Sequence, residues 1–178
     1  MNLFFLRHGE SEANLTKTFA GQSETRLTAL GIRQAKEAGA EIKSVGIDFD
    51  TIISSPLSRA LDTARIVADI TGYATTDIEI DKATMERSGG IGEGMSQTDF
   101  FALTEQEQVK LGAESFEELG KRAKEFLEKV TSAHADETVL VVSHATFGEV
   151  LKAMIKFDDY NRWPDVGRLP NAKIIKLI

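Results

Sequence analysis

Three short runs of apolar and β-favouring residues, separated by stretches with helical periodicity, constrain the fold more than any other feature of the sequence. The runs are Leu3–Leu6, Thr51–Ile53 and Val139–Val142. Uninterrupted runs of this length are typical of strands buried on both faces, as in parallel sheets covered by helices on either side. The alternation predicts an α/β fold of three layers, α/β/α, with a mainly parallel central sheet. A chain of 178 residues is expected to form one such domain, spanning residues 1–178.

The stretches between these runs have the pattern of helices. In the first, Thr28 is placed as an N-cap, and the apolar stripe consists of Ile32, Ala35, Ala38, Gly39 and Ile42. A second helix is expected at Leu57–Ile70, with Ser55 as N-cap and Pro56 at its first position. The remaining predicted elements are a strand at Ile78–Ala83, helices at Glu114–Ala133 and around Val150–Ile155, and an edge strand at Ile174–Ile178.

The composition excludes several classes of protein and site. The sequence has no cysteine, which excludes disulfides, thiolate metal sites and thiol catalysis and suits a cytoplasmic location. No apolar run reaches the roughly 18 residues of a membrane span, and the N-terminal run is too short for a signal peptide. The three histidines are too dispersed to suggest a metal site.

The chain has a net charge of −7 and no long basic run, so nucleic acid is not expected as a partner. An anionic small substrate would need a local cluster of positive groups. The oligomeric state is left open.

Charged side chains follow the predicted strands where each one ends. Arg7 and His8 come directly after the first run, Arg59 lies shortly after the second, and His144 follows the third. The carboxyl ends of parallel strands meet at one edge of a sheet, where ligands bind in folds of this kind. Because two arginines and two of the three histidines gather at that edge, we predict a functional site there.

This set of residues suits a phosphoryl group. Arg7 and Arg59 can clamp its oxygens, because the planar guanidinium fork matches two oxygens at once and keeps its charge. Arg59 also falls in the first turn of its predicted helix, where a cation opposes the helix dipole unless an anion binds beside it. His144 can donate a further hydrogen bond. His8, whose protonation the cations disfavour, can attack phosphorus as a nucleophile or act as general base for water, and the Gly9 carbonyl is placed to fix its tautomer.

The leaving group of a phosphoryl transfer also needs an acid. Glu10, Glu86 and Glu93 are all near in the chain, and the last two bracket a glycine-rich stretch in which a carboxyl can hold its proton near neutral pH. Reasoning from residue types alone leaves the choice among the three open.

The sequence resembles the histidine phosphatase superfamily, the phosphoglycerate mutase-like proteins, over essentially the whole chain. The resemblance begins with the string Arg7-His8-Gly9-Glu10-Ser11-Glu12-Ala13-Asn14. It continues in the family's order and spacing through Leu27-Thr28, Gly31, Gln34-Ala35, Ser54-Ser55-Pro56-Leu57-Ser58-Arg59-Ala60, Thr63-Ala64 and Ser143-His144.

This resemblance implies roles for individual residues. His8 would be the phosphorylated residue and Glu86, within Met85-Glu86-Arg87, the proton donor. Arg7, Arg59 and His144 would act with them in catalysis. The phosphate-binding residues would be Arg7, Asn14, Gly21, Arg59, His144 and Ala145. No metal or organic cofactor is implied, and the substrate would be a small phosphorylated compound.

The sequence also departs from the family pattern. Ala145 stands where glycine is usual and Ala20 where mutases carry serine or threonine, although a backbone N–H remains at both positions. The segment 88–121 has no arginine, whereas mutases place paired arginines in a longer insertion to hold the substrate carboxylate. We therefore expect a phosphatase, with a cofactor-dependent phosphoglycerate mutase or a non-catalytic phospho-ligand-binding member of the family as alternatives.

Four residues are left without a firm role. Helix packing is the preferred explanation for Phe100 and Phe101, and the sequence does not fix where Trp163 and Arg168 point.

Overall fold

The structure is a computed structural model that describes every residue from Met1 to Ile178. In chain order its strands and α-helices are β1 (Asn2–Arg7), α1 (Glu12–Leu15), α2 (Ala29–Ser44), β2 (Thr51–Ser54), α3 (Ser58–Thr71), β3 (Glu79–Ile80), α4 (Gln97–Ala102), α5 (Glu105–Lys110), α6 (Phe116–Ala133), β4 (Thr138–Ser143), α7 (Ala145–Phe157) and β5 (Ile174–Lys176). Short 3₁₀ helices lie at Thr75–Asp77, Lys82–Thr84, Gly90–Gly92 and Tyr160–Val166.

The five strands form one sheet in the order β3-β2-β4-β1-β5. All neighbouring pairs are parallel except β1 and β5, which are antiparallel. The expected mainly parallel sheet, with an edge strand near the C-terminus, is therefore confirmed. The strands with the longest pairings, β2, β4 and β1, are parallel and adjacent in the sheet, so their carboxyl ends lie side by side.

Helices cover both faces of the sheet, which gives the predicted three layers. On one face, β-strand residues such as Phe5 and Val141 pack with α6 and α7 through Phe126 and Phe147. On the other face, alternate strand residues such as Leu6 and Leu140 pack with α2 and α3. No helix is both long and apolar enough to cross a membrane.

Three local predictions are corrected by the structure. The helix after β2 begins at Ser58, with Leu57 as an N-cap that makes no side-chain bond, because the Ser55 hydroxyl is hydrogen-bonded to His144 and to the Leu57 N–H. The predicted strand 78–83 is only two residues long and turns into a 3₁₀ helix at Lys82. On α2, Ile32 is exposed and Gly31 is buried in its place.

The burial of Gly31 has a steric cause that also shapes the site. A Cβ atom at Gly9 would overlap the carbonyl oxygen of Gly31, and one at Gly31 would overlap the carbonyl oxygen of Glu10. The loop after β1 therefore packs against the first turn of α2 with only backbone between them. Thr28, the confirmed N-cap of α2, accepts from the Gly31 N–H and fixes this turn.

Candidate active site

The structure brings three of the four residues predicted at the strand ends, Arg7, His8 and Arg59, into one narrow cleft of ≈ 60 Å³. Arg7 and His8 reach it from the end of β1, and Arg59 reaches it from the second residue of α3. Glu86 comes from the loop after the Lys82–Thr84 turn. A space of this size accepts a group such as a phosphate rather than a whole metabolite.

His8 has one ring nitrogen committed and one free. Its Nδ1 lies 2.7 Å from the carbonyl oxygen of Gly9, and since a carbonyl can only accept, Nδ1 carries the proton in the neutral ring. Nε2 therefore keeps its lone pair and has no hydrogen-bond partner in the protein. Burial lowers the pKa of His8 well below 6.5, and the charges of Arg59 and Arg7 lower it further. The ring is neutral at pH 7 and its free nitrogen is able to attack.

The two cleft arginines are held by backbone carbonyls rather than by carboxylates. Arg7 Nη1 donates to the Leu169 carbonyl at 2.8 Å, and Arg59 donates to the Gly21 carbonyl at 2.7 Å and to the Ser23 carbonyl at 2.9 Å. Burial lowers the pKa of both guanidinium groups, while the charge of Glu86 raises it. Because their partners are neutral, both cations keep most of their charge available to an anion.

His144 lies behind His8 rather than on the wall of the cleft. Its side chain is fully buried, its ring packs edge-on against that of His8 with centroids 5.1 Å apart, and its Nε2 lies 2.8 Å from Ser55 Oγ. Its Nδ1 is buried without a hydrogen-bond partner in the protein. The adjacent Ser143 points elsewhere and donates to the Thr84 carbonyl at 2.5 Å, so the two do not form a hydrolase pair.

Of the three candidate acids, only Glu86 lines the cleft. Its carboxylate accepts from the backbone N–H groups of Arg87 at 2.9 Å, Phe147 at 3.1 Å and Thr146 at 3.2 Å. Glu10 accepts instead from the Thr28 hydroxyl, and Glu93 accepts from the Gln22 and Gly89 N–H groups. The structure thus separates a carboxyl at the site from two that stabilise loops.

The position of Glu86 depends on an arginine that the sequence analysis did not single out. Arg122 Nη1 donates to the Ala83 and Met85 carbonyls at 2.7 and 2.8 Å, and its guanidinium forms an ion pair with Glu114 at 2.7 Å. The residue lies one position beyond the arginine-free segment. Nothing in its local sequence distinguishes it from a solvated helix cation, because its partners are carbonyls far away in the chain.

Three further residues that the resemblance assigned to phosphate binding, Gly21, Asn14 and Ala145, line the cleft. Gly21, with φ +52°, and Ala145, the first residue of α7, line it, and neither N–H donates to an acceptor within the protein. Asn14 also lines it, with its Oδ1 accepting from the Ser11 N–H at 3.1 Å and from Asn171 Nδ2 at 3.3 Å. Asn171 Nδ2 in addition donates to the His8 carbonyl at 2.8 Å, a role that the sequence analysis missed.

The four residues without a firm role separate into two groups. Phe100 is fully buried and stacks on Phe19 with ring centroids 3.9 Å apart, so packing explains it. Phe101 packs edge-on against Phe19 and Phe100, but it is 51% exposed and also lines the cleft, as does Arg168. Trp163 lies in a second, larger cavity beyond them. Gln97, Thr18 and Thr146 are further lining residues that the sequence analysis missed.

Fold and site together define an α/β protein with a mainly parallel sheet and an arginine-lined cleft around a buried histidine. The structure holds no group of three or more His, Cys, Asp or Glu side chains placed to bind a metal ion.

The chain belongs to the histidine phosphatase superfamily (branch 1), whose family model matches residues 3–178. It is 33% identical over 165 residues to the 2,3-bisphosphoglycerate-dependent phosphoglycerate mutase of Sinorhizobium fredii, an alignment covering 86% of this chain and 77% of that protein. The mutase of the same name from Brucella suis is 34% identical over 165 residues, with 86% and 79% covered.

Solved structures of phosphatases share the fold. A mycobacterial glucosyl-3-phosphoglycerate phosphatase in complex with VO3 superposes with a TM-score of 0.83 and 24% identity, covering 98% of this chain and 91% of that chain. A phosphoserine phosphatase from Entamoeba histolytica in complex with 3-phosphoglyceric acid gives a TM-score of 0.81 and 25% identity, with 98% and 89% covered. Similar proteins therefore include both mutases and phosphatases.

Proposed function

We propose that this protein is a metal-independent phosphatase that hydrolyses a small phosphomonoester through a phosphohistidine intermediate on His8. The observation that carries the proposal is the free Nε2 of His8: the Gly9 carbonyl fixes the proton on Nδ1, and Nε2 is left neutral and unpaired in a cleft lined by Arg7 and Arg59. A buried, oriented nitrogen with a lowered pKa beside two cations suits nucleophilic attack on an anion.

The proposed reaction has two steps. In the first, His8 Nε2 forms a bond to phosphorus, the bond from phosphorus to the ester oxygen breaks, and that oxygen takes a proton from the Glu86 carboxyl. In the second, Glu86 takes a proton from water as the water oxygen attacks phosphorus, and the N–P bond breaks to release phosphate. The three N–H groups that bond to Glu86 stabilise its carboxylate between the steps.

The remaining residues stabilise the transferring group. Arg7 and Arg59 would neutralise its equatorial oxygens, and the Gly21 and Ala145 N–H groups and the Asn14 amide would donate to them. Two buried polar atoms next to His8, Arg7 Nε and His144 Nδ1, have no partner in the protein. Because buried polar atoms are normally paired, this supports a ligand that completes the network, with His144 bonded to it or to the phosphohistidine.

A phosphoglycerate mutase is the second candidate function, and the identity of 33–34% to mutases over 165 residues favours it. The segment 88–121, which contains no arginine, argues against it. Net release of inorganic phosphate from 3-phosphoglycerate would support a phosphatase, whereas exchange between 2- and 3-phosphoglycerate without net release would support a mutase.

A non-catalytic phospho-ligand-binding member is disfavoured because Glu86 is present and lines the cleft. The proposal includes a cytoplasmic location, which the lack of cysteine supports.

The intermediate can be tested directly. The protein is mixed with an aryl phosphate labelled on phosphorus and quenched rapidly in alkali, where phosphohistidine survives and phosphoserine or carboxyl phosphate does not. We expect acid-labile, alkali-stable label on the chain, and none on the His8→Ala variant. Hydrolysis of the substrate without any trapped label would reject the covalent route and favour His8 as a general base.

A further inference from the structure

A larger chamber of ≈ 530 Å³ opens next to the phosphate cleft. The two share Phe101, Ala145, Thr146 and Arg168 as lining residues, so they form one continuous site. The chamber lies among α4, α5, the start of α6, the N-terminus of α7 and the Tyr160–Val166 turn. If a phosphoryl group binds at His8 as proposed above, its ester oxygen and leaving group have this chamber beside them.

The far wall of the chamber is aromatic and firmly held. The rings of Phe116 and Trp163 are stacked, with centroids 4.9 Å apart and planes at 10°. The guanidinium of Arg87 lies 4.3 Å from the centroid of the Phe116 ring. Arg87 is itself fixed by bonds of 2.7 Å to Gln108 Oε1 and to the Glu114 carbonyl. Both rings are half-buried, so each retains accessible surface on a rigid support.

The near wall adds an exposed phenyl ring. Phe101 is 51% exposed and lies edge-on to Phe19 and Phe100, with ring centroids 5.5 and 5.6 Å apart. Large apolar side chains are usually left exposed in a cavity only when a ligand covers them. Leu103 lines the same side.

The charges of the chamber differ from those of the cleft. Arg87 and Arg168 line the chamber together with Glu105 and Glu149, so it has no excess positive charge. Arg87 donates within the protein and its remaining nitrogen, Nη2, is enclosed. Arg168 forms no hydrogen bond in the protein, lines the cleft as well, and is close enough to Arg7 to lower its pKa. The unpaired cation therefore lies on the phosphate side.

We infer that the chamber, through Trp163, Phe116 and Phe101, binds a flat aromatic group on the alcohol of the phosphomonoester, and that Arg168 contacts the phosphate. The substrate class is then an aryl phosphate or a phosphate ester whose alcohol carries an aromatic ring, rather than a small alcohol with a second anionic group. A cavity of this volume is ordinary for such a ligand.

The test uses Trp163, the only tryptophan in the chain, as a fluorescent reporter. Two phosphonates that cannot be hydrolysed are titrated into the wild type: benzylphosphonate and 2-carboxyethylphosphonate. Benzylphosphonate is expected to change Trp163 emission and to bind roughly tenfold or more tightly than the carboxylate compound. Equal affinities, or tighter binding of the carboxylate compound, would overturn the inference.

Variants separate the chamber from the phosphate cleft in assays of hydrolysis. Trp163→Leu, which changes the chamber but not the cleft, should lower kcat/KM for phenyl phosphate about tenfold and leave kcat/KM for glycerol 3-phosphate nearly unchanged. Phe101→Ala, which changes both spaces, should lower kcat/KM for phenyl phosphate more than for glycerol 3-phosphate. Arg168→Ala should lower kcat/KM by a similar factor for both substrates. A loss of kcat/KM confined to 3-phosphoglycerate would instead show a second anion site and reject the inference. Ile91→Ala is the control: it removes an 82% exposed side chain that does not line the chamber, and it should leave kcat/KM for both substrates unchanged.

The outcomes also distinguish this inference from the proposed function on which it rests. Hydrolysis without any preference for an aromatic group would reject the chamber's role and leave the phosphatase proposal standing. A Trp163 response to benzylphosphonate in a protein that hydrolyses nothing would reject the phosphatase proposal and leave the binding site standing. Failure of both measurements would reject both.

Discussion

The two ends of the site are built from different kinds of structure. At the proposed phosphate end, Arg7 is the last residue of β1, His8 follows it directly, and Arg59 lies in the first turn of a helix that packs on the sheet. At the chamber end, Phe101 and Trp163 lie on short helical segments that make few contacts with the sheet. Under the proposed function, the reaction would be fixed by the sheet, whereas the choice of leaving group would depend on surface segments that can change without disturbing the sheet.

The largest effect should come from His8, because no other residue at the phosphate end offers a free nucleophile. We expect His8→Ala to lower kcat for 4-nitrophenyl phosphate by at least about 10⁴-fold. The variant should keep the far-ultraviolet circular dichroism of the wild type, since the side chain packs in a loop rather than in the core. Turnover within tenfold of the wild type in a folded variant would remove His8 from the mechanism.

The second largest effect should come from Glu86. Its size should depend on the leaving group, which the chamber end is proposed to bind. Glu86→Gln keeps the size of the side chain but cannot give up a proton, and its amide nitrogen cannot accept as the second carboxylate oxygen does. We expect it to slow an alkyl phosphate about 10²- to 10⁴-fold and 4-nitrophenyl phosphate far less, because nitrophenolate leaves without protonation. A plot of log kcat against leaving-group pKa should be steeper for the variant. Equal losses across the series would contradict an acid role.

Loss of the Arg59 charge should lower kcat by the same factor whatever the leaving group. We expect Arg59→Met to lower kcat about 10²- to 10³-fold, while Arg33→Met, at an exposed position on α2, should leave it unchanged.

The pH profile gives a second measure for the Arg59 variant. Because the Arg59 charge lowers the pKa of His8, its removal raises that pKa, and the acidic limb of kcat/KM should move to higher pH. An unchanged limb would show that the two groups are not coupled.

The smallest effect concerns Glu149, which lines the chamber and bonds to the segment that holds Arg7. Its Oε1 accepts from the Leu169 N–H at 3.2 Å, and Leu169 in turn accepts from Arg7. Burial raises the pKa of this carboxyl above 4.5, so the folded state holds a proton that the unfolded chain releases. The free energy of unfolding of the wild type should therefore fall, relative to Glu149→Gln, as pH rises from about 4.5 through the folded pKa.

Urea unfolding of both proteins at pH 4 and pH 8 measures this change. A constant difference between the two pH values would show that Glu149 titrates alike in both states.

The phosphate end could be predicted from the sequence because its residues follow apolar runs that are recognisable as strands. The sequence offered the Gly9 carbonyl as a group that could fix the tautomer of His8, and only the structure shows the contact of 2.7 Å to Nδ1. The choice of Glu86 over Glu10 and Glu93 could not be derived from residue types alone, since all three are loop acids and only the folded chain shows which partners they bind. The start of α3 was placed too early because Ser55 looked like a cap, and its hydroxyl instead bonds to His144.

The chamber could not be predicted in the same way. Phe101 and Phe100 are neighbours of the same residue type, yet one is buried and the other lines two connected cavities. The stack of Phe116 and Trp163 joins positions 47 residues apart, and no local pattern predicts it. Arg122 and Asn171 donate to backbone carbonyls. Because every residue has a carbonyl, the sequence does not show which one will be the partner.

The ties between the last segment and β1 have a consequence for biosynthesis. Leu169 accepts from Arg7, 162 positions earlier, Asn171 donates to the His8 carbonyl, and the Ala172 N–H donates to the Arg7 carbonyl. His8 is translated well before residues 169–172, which hold its loop in place. A nascent chain on the ribosome thus carries His8 without this framework, and the site is assembled only when translation has delivered residues 169–172.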